Sequence, residues 1–563
     1  MKPVKKLIVI LMVLALFASA CSDDDAEEGT TSAATATTAA SADVTNPGVL
    51  VHSLGGEPEG LDPAQVFAGG YGDRVIIQMY DFLLDLPPDS PEPVPMISTE
   101  VPSIENGLVS ADGLVYTFPI REGVKFHDGT DLTAEDIEYS WDRVLTMDMP
   151  EGQAEVLNMI VEDFRAVDDY TFEVTLQQPA AWFLTAVVPS IPAAIVSKDS
   201  VEANGGVVAG EPNEWMLDHD AGSGPYKLVS WDRNIRLTFE KYDEYWGEPA
   251  KLDARFEVTP SESATVLGMS GGEYDIVEPT PQYLEELAGN EDVCPIAAGF
   301  LLEPLHLAFN LRIPEGALPD SDTIPEDFFW DKRVRQAFVA TFDYEAMAEA
   351  GLAGFGEPAT LIPPPMFGYS PDLPKQEQDL ALAEQLFRET GYWDEGFEVS
   401  VIVEEANPTF LPVGLILKDA LETLNPNFRV NVIQVAEAQF DEEHAKDPFE
   451  YAMWIKNADP FADPHFLFNR YWHPDGVWGT TLGYRNGYEN PDAIADLIDR
   501  AAAETDLELR AQMYQDLVPM LLDDPMWIWA ADEVNLQIVR CWVDDFVYNP
   551  LWIMPRWKYY NKG

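Results

Sequence analysis

The chain has 563 residues, 99 of them Asp or Glu against 33 Lys or Arg, for a formal charge of −66. Nucleic acid and anionic lipid surfaces are excluded as partners, because both would be repelled. The acids are scattered rather than clustered, which reads as a solvated surface and names no ligand.

The first residues read as an export signal. Lys2, Lys5 and Lys6 precede an apolar run, Leu7 to Phe17, too short to span a bilayer. Small residues Ala18, Ser19 and Ala20 lead into Cys21, which resembles a bacterial lipobox with alanine where leucine is usual. A signal peptide over 1–20 and lipidation of Cys21 are therefore expected, since two or more acyl chains anchor stably. The other reading is a secretory signal with an incidental cysteine. Residues 21–46 hold no apolar side chain larger than Val44. They cannot bury a core and are expected to form a disordered tether. The remaining body is far longer than one compact core, so two or three lobes are expected.

Asp112 to Arg143 reads as strand, turn and capped helix. Val115 to Ile120 is β-rich with one edge proline, Pro119, and His127-Asp128-Gly129 is turn chemistry. Thr133 and Asp136 form a capping box ahead of Ile137, Trp141 and Val144. Further strands are expected at Tyr170–Gln177, Ile235–Glu240, Phe256–Thr259, Leu305–Phe309, Glu398–Val403, Arg429–Val435 and Tyr451–Ile455. Asp331 is expected to cap a helix whose Val334, Phe338 and Phe342 share one face. Asp379 to Thr390 ends at Gly391 as a helix should, Pro491 opens another, and Asp506 caps a run through Leu521. The mixture points to α/β lobes.

Enzyme chemistry finds one superficial hook, Gly268-Met269-Ser270-Gly271-Gly272, which satisfies G-x-S-x-G. A nucleophile elbow needs a strand before the serine and a helix after it. Here Ser261 caps a helical run leading into the motif, so a helix C-terminus is expected and no hydrolase. His465 and His473, eight residues apart, make a poor metal pair, and neither metal nor cofactor is expected. Cys294 and Cys541 read either as a structural bridge or as two buried thiols.

The order of motifs carries more. Asp112 to Arg143 closely resembles the most recognisable line of the extracytoplasmic solute-binding proteins of peptide-type ABC importers (family 5). Leu61-Asp62-Pro63, Tyr80 to Leu84, Gly222-Ser223-Gly224-Pro225-Tyr226, Tyr242 to Trp246 and Gly272 to Asp275 are similar to its successive motifs. Leu307 to Asn310, Asp331 to Ala337 and Asp379 to Tyr392 follow in the same order. The resemblance runs from about Gly48 to the C-terminus.

It implies an α/β clamshell of the type II periplasmic-binding-protein class, with an extra subdomain and a two-strand hinge that closes on ligand. Lobe I would comprise 47–75, 190–300 and 536–563, with 76–189 as the extra subdomain and 301–535 as lobe II. The implied role is capture of a short peptide and its delivery to ABC permease subunits, by a monomer outside the cell membrane or in the periplasm, attached only through lipid. An oligosaccharide ligand is the alternative within the fold. In the peptide-binding branch a "W…aDy.dP" segment bonds to the ligand backbone, and its first aspartate pairs with the α-ammonium. Asp459 matches that aspartate and Met453-Trp454-Ile455 the strand, although extra residues separate Trp454 from Asp459. Ser223 and Gly224 read either as ligand contacts or as a tight turn, and Phe67 and Gly69 stand where the family's first lobe meets ligand. Trp454, Trp472 and Trp478 are the tryptophans expected near the cleft.

Overall fold

The computed structural model describes residues 44–563 apart from 67–69, 89–91, 151, 260, 279–283, 288, 365, 406, 445, 447, 459–462 and 550–554. The expected signal and most of the tether, Cys21, Phe67, Gly69 and Asp459 therefore lie outside the described residues.

The body opens with strand β1 (Val49–Leu54) and helix α1 (Tyr71–Met79). A subdomain follows: β2 (Val115–Pro119), α2 (Ala134–Met147), β3 (Val161–Asp168) and β4 (Thr171–Leu176). Strands β5 (Tyr226–Asp232), β6 (Arg236–Lys241), β7 (Asp253–Val258) and β8 (Ile276–Val277) return to the first lobe. β9 (Val293–Phe300) and β10 (Leu305–Phe309) lead into the second lobe. It continues with α3 (Lys332–Thr341), α4 (Leu380–Thr390), β11 (Phe397–Glu404), α5 (Phe410–Leu424) and β12 (Phe428–Val435). β13 (Met453–Asn457), α6 (Pro464–Tyr471), α7 (Pro491–Ala503) and α8 (Leu507–Asp523) complete it, and β14 (Trp527–Arg540) crosses back.

Local chemistry explains most of these elements. Asp136 accepts from Thr133 N at 2.9 Å, closing the box that starts α2. Asp331 accepts from Arg333 N at 2.9 Å to start α3, and Asp506 accepts from Glu508 N and Leu509 N to start α8. Gly391 ends α4 at φ 88°, a left-handed conformation that suits glycine. β13 begins two residues later than the periodicity predicts. The Asn310 side chain donates to the carbonyls of Phe449 and Tyr451 at 2.8 and 2.9 Å, and Asn310 N donates to Ala452 O, so this stretch is held outside the ladder.

One sheet runs through both lobes in the order β12–β11–β13–β10–β14–β8–β1–β7–β6–β5. Trp527 to Ala531 of β14 pair with β10, Val534 to Arg540 pair with β9, and Ile538 and Val539 also pair with β8. A single strand thus belongs to lobe II at one end and lobe I at the other. With β9 it forms an antiparallel ribbon. Separate cores mark the parts: Phe309, Phe338, Phe397, Leu417 and Trp527 in lobe II, and Tyr116, Phe118, Trp141 and Phe172 in the subdomain.

The motif residues hold this frame together. Asp81 is fully buried and accepts from Ser223 Oγ (2.9 Å), Tyr245 OH (3.1 Å) and Trp246 Nε1 (2.9 Å), joining three motifs at one carboxylate. His127 is held between Asp220 Oδ2 and the carbonyl of Gly224, each at 2.8 Å. Asp62 pairs with Arg143, both buried. Asp275 accepts from Val51 N and Trp542 Nε1 and meets Lys562 Nζ at 2.6 Å.

Cys294 and Cys541 are bridged, with Cα atoms 5.1 Å apart. The bridge joins β9 to the residue that follows β14, at the lobe I end of the ribbon. Ser270 lies exposed in the last turn of the helix Glu262–Gly271, which Ser261 caps and Gly272 ends at φ 78°. That is the reverse of an elbow, as expected.

Candidate ligand cleft

The segment that resembles the family's ligand-contacting stretch begins at β13. β13 pairs along its length with β10, Met453 opposite Phe309 through Asn457 opposite Leu305. On its other side it pairs with β11 only at Met453 and Trp454. Ile455, Lys456 and Asn457 therefore present an edge without a ladder partner among the described residues, immediately before 459–462.

The strand residues and the tryptophans expected near the cleft are buried. Met453, Trp454 and Ile455 are at most 1% exposed, and Trp454 packs against His306, Trp478 and Trp527. Trp472 is fully buried against Trp529. These aromatic rings are engaged by other core aromatics, so what this strand offers a ligand is its backbone. Ser223 spends its hydroxyl on Asp81. Gly224 is needed for close approach: a Cβ there would lie 2.6 Å from the carbonyl carbon of Met79, whose oxygen accepts from Gly224 N at 2.8 Å.

The segment after 459–462 is firmly held. Asp463 caps α6 by accepting from His465 N at 2.9 Å, and Arg510 Nη1 and Nη2 grip both its oxygens at 3.0 and 2.6 Å. Arg510 also donates to Ala501 O, and both partners are buried. At the same place the subdomain meets lobe II. Trp182 stacks on His465 with centroids 4.8 Å apart and meets Phe466 edge-on, while Thr185 Oγ1 donates to Asp463 Oδ2 at 3.3 Å. Burial lowers the His465 pKa to about 4, so the stacked imidazole is neutral. A stacked pair contributes about 0.5–1.5 kcal/mol. His465→Ala is accordingly expected to speed ligand release about three- to ten-fold with little change in association rate, read by stopped-flow tryptophan fluorescence.

β14 carries a polar stripe where it crosses between the lobes. Glu533, Asn535 and Gln537 alternate with Val534, Leu536 and Ile538, so they share one face. Asn535 Nδ2 donates to Tyr548 OH at 2.7 Å, and Gln537 Nε2 donates to Asn535 Oδ1 at 2.8 Å and Glu278 Oε1 at 3.3 Å. Glu278 also meets Arg74 Nη1 at 2.5 Å. Burial pushes the Glu278 carboxyl up, but Arg74 outweighs it and holds it below the usual range. Asn457 Nδ2 faces Glu533 Oε1 at 3.5 Å. Burial, with Glu303 nearby, pushes Glu533 up to about 7. The alternation E-V-N-L-Q is the sequence signal of this stripe.

Asp532 points to the opposite face, 2% exposed, where Thr360 N and Oγ1 both donate to Oδ2 at 3.0 Å. Burial raises it to about 7. A carboxyl raised in the folded state favours folding when protonated, and that advantage disappears as pH rises from about 4 through about 7. Asp532→Asn is therefore expected to raise the unfolding free energy by about 1–2 kcal/mol at pH 8 and to leave it unchanged at pH 4, measured by urea denaturation.

The family model "Bacterial extracellular solute-binding proteins, family 5 Middle" matches residues 92–479. The chain belongs to this family. The solute-binding protein is 25% identical over 537 residues to the Dipeptide-binding protein of Escherichia coli (strain K12), covering 89% of this chain and 92% of that one. Its fold matches the ABC transporter substrate binding protein CtaP of Listeria monocytogenes with a TM-score of 0.77 at 18% identity, covering 92% of this chain and all of that one. It also matches the periplasmic binding protein DppA of Helicobacter pylori, solved in complex with peptide STSA. There the TM-score is 0.70 at 22% identity, covering 92% and 98% of the two chains. The two-lobed fold inferred from the motifs is thereby established.

Proposed function

We propose that this protein captures short peptides between its lobes and delivers them to the permease of an ABC importer, working as a monomer held outside the membrane by lipid on Cys21. The observation that carries the reading is the open edge of β13. Ile455 to Asn457 offer backbone donors and acceptors in a row, which is what an added peptide strand needs. The edge leads into the segment that resembles the family's ammonium-pairing aspartate, and Asp459 is proposed for that role. Dipeptide- and peptide-bound relatives support the same ligand class. An oligosaccharide would need exposed aromatic faces, whereas Trp454 and Trp472 are packed in the lobe II core. The reading assigns no covalent chemistry to the chain.

A thermal-shift panel of di- to pentapeptides, N-acetylated peptides and cello-oligosaccharides tests this. A ligand at a hundred times its Kd stabilises the folded state by about 2.7 kcal/mol. Free peptides are expected to raise the Tm, N-acetylated ones to do so less, and Asp459→Ala to remove that difference. A shift with sugars alone would overturn the reading.

A further inference from the structure

The polar stripe on β14 is short of cations. Glu533 is the only carboxylate on it, and no described lysine or arginine pairs with it. Its neighbours are the Asn457 amide, Thr409 and the like charge of Glu303. Arg74, the arginine nearest the stripe, is taken by Glu278. Lys456 lies on the alternate side of β13 from Asn457, among His306 and His444. His52, the other basic group beside Glu278, is lowered to about 4 by burial and carries no charge at neutral pH.

A second observation, independent of the acid, points the same way. Gln537 is 2% exposed, and its Oε1 is buried without a hydrogen-bond partner, while its amide nitrogen is fully used. Asn457 Oδ1, next to Glu533, is likewise buried and unpartnered. Unsatisfied buried acceptors cost about 1–3 kcal/mol each, so this surface is arranged to receive donors. A hydrophobic or anionic side chain would leave all of them unpaired and would bury Glu533 against an apolar or repelling group.

The geometry points to a cation subsite formed by Glu533 and Asn457, which takes the ammonium or guanidinium of a basic side chain on the captured peptide. This rests on the peptide-capture reading and narrows it to lysine- or arginine-containing peptides. The α-ammonium is the other source of the same chemistry, and it is assigned to Asp459.

The test measures the affinity of the full chain for Ala-Lys-Ala, Ala-Arg-Ala and Ala-norleucine-Ala, each free and N-acetylated, by isothermal titration calorimetry. Agmatine serves as a cation without a peptide. Salt is held at about 0.15 M so that the overall negative charge of the chain is screened. Lysine and arginine peptides are expected to bind at least ten-fold more tightly than the norleucine peptide. The gap should persist after N-acetylation and should collapse in Glu533→Gln; if that variant does not fold, Asn457→Ala provides the same comparison. Equal binding of lysine and norleucine peptides, or a gap that vanishes on N-acetylation, would overturn the subsite while leaving peptide capture standing. A gap that survives in both variants would also overturn it, placing the cation elsewhere. Failure of every peptide to bind would sink the capture reading; agmatine binding lost in Glu533→Gln would then preserve the subsite, and no agmatine binding would sink both.

Discussion

Replacing Arg510 with methionine is expected to cost about 3–5 kcal/mol of stability, because it leaves the Asp463 carboxylate buried without its partner. The pair is bidentate and almost without solvent access, with Arg510 further fixed by Ala501 O. The loss is specific to an orphaned charge. Asp463→Asn combined with Arg510→Met removes both charges and should recover most of the stability, since a buried pair exchanged for neutral groups is often close to neutral in energy. Asp463 also caps α6 and receives Thr185 from the subdomain, so the single variant should bind ligand more weakly as well. Equilibrium urea melts of the single and double variants check this. A single variant as stable as the parent would mean that Asp463 reaches water or another cation.

Loss of the Cys294–Cys541 bridge, as the double serine variant, is expected to destabilise the second lobe by about 3–5 kcal/mol. The cross-link spans 247 residues and encloses all of β10 to α8, so opening it frees a very long loop in the unfolded chain. The bridge ties β9 to the end of β14 and thereby fixes the root of the ribbon. The unfolding transition of lobe II should move to lower denaturant, and a two-lobed chain should be analysed without assuming a single transition. An unchanged midpoint would show that the ribbon's own pairing already confines the unfolded lobe.

Most of the frame was legible in the sequence because caps and periodicity are local. Asp331, Asp506, Gly391 and the Thr133–Asp136 box all act within a few residues of themselves. The start of β13 was misplaced because Asn310, distant in sequence, takes the carbonyls of Phe449 and Tyr451. The cleft was harder for a different reason. The motifs that carry the family resemblance, around Asp62, Asp81, His127, Ser223, Asp275 and Arg335, hold the scaffold: Arg335, for instance, binds Pro525 O and Gly487 O and pairs with Asp524. They identify the fold and say little about the ligand. Trp454 and Trp472 looked like contacts because aromatics suit both cores and clefts, and only packing distinguishes the two. The stripe Glu533-Asn535-Gln537 needed its strand partners to be known before its alternation had meaning.

Native mass spectrometry of the full chain, incubated with an equimolar mixture of tripeptides and cello-oligosaccharides, reads out whether the chain holds one short peptide. A single added mass per chain equal to a free tripeptide, displaced by excess of the same peptide, is expected. Addition of a sugar mass alone, or no addition at ligand concentrations far above the micromolar range, would contradict it.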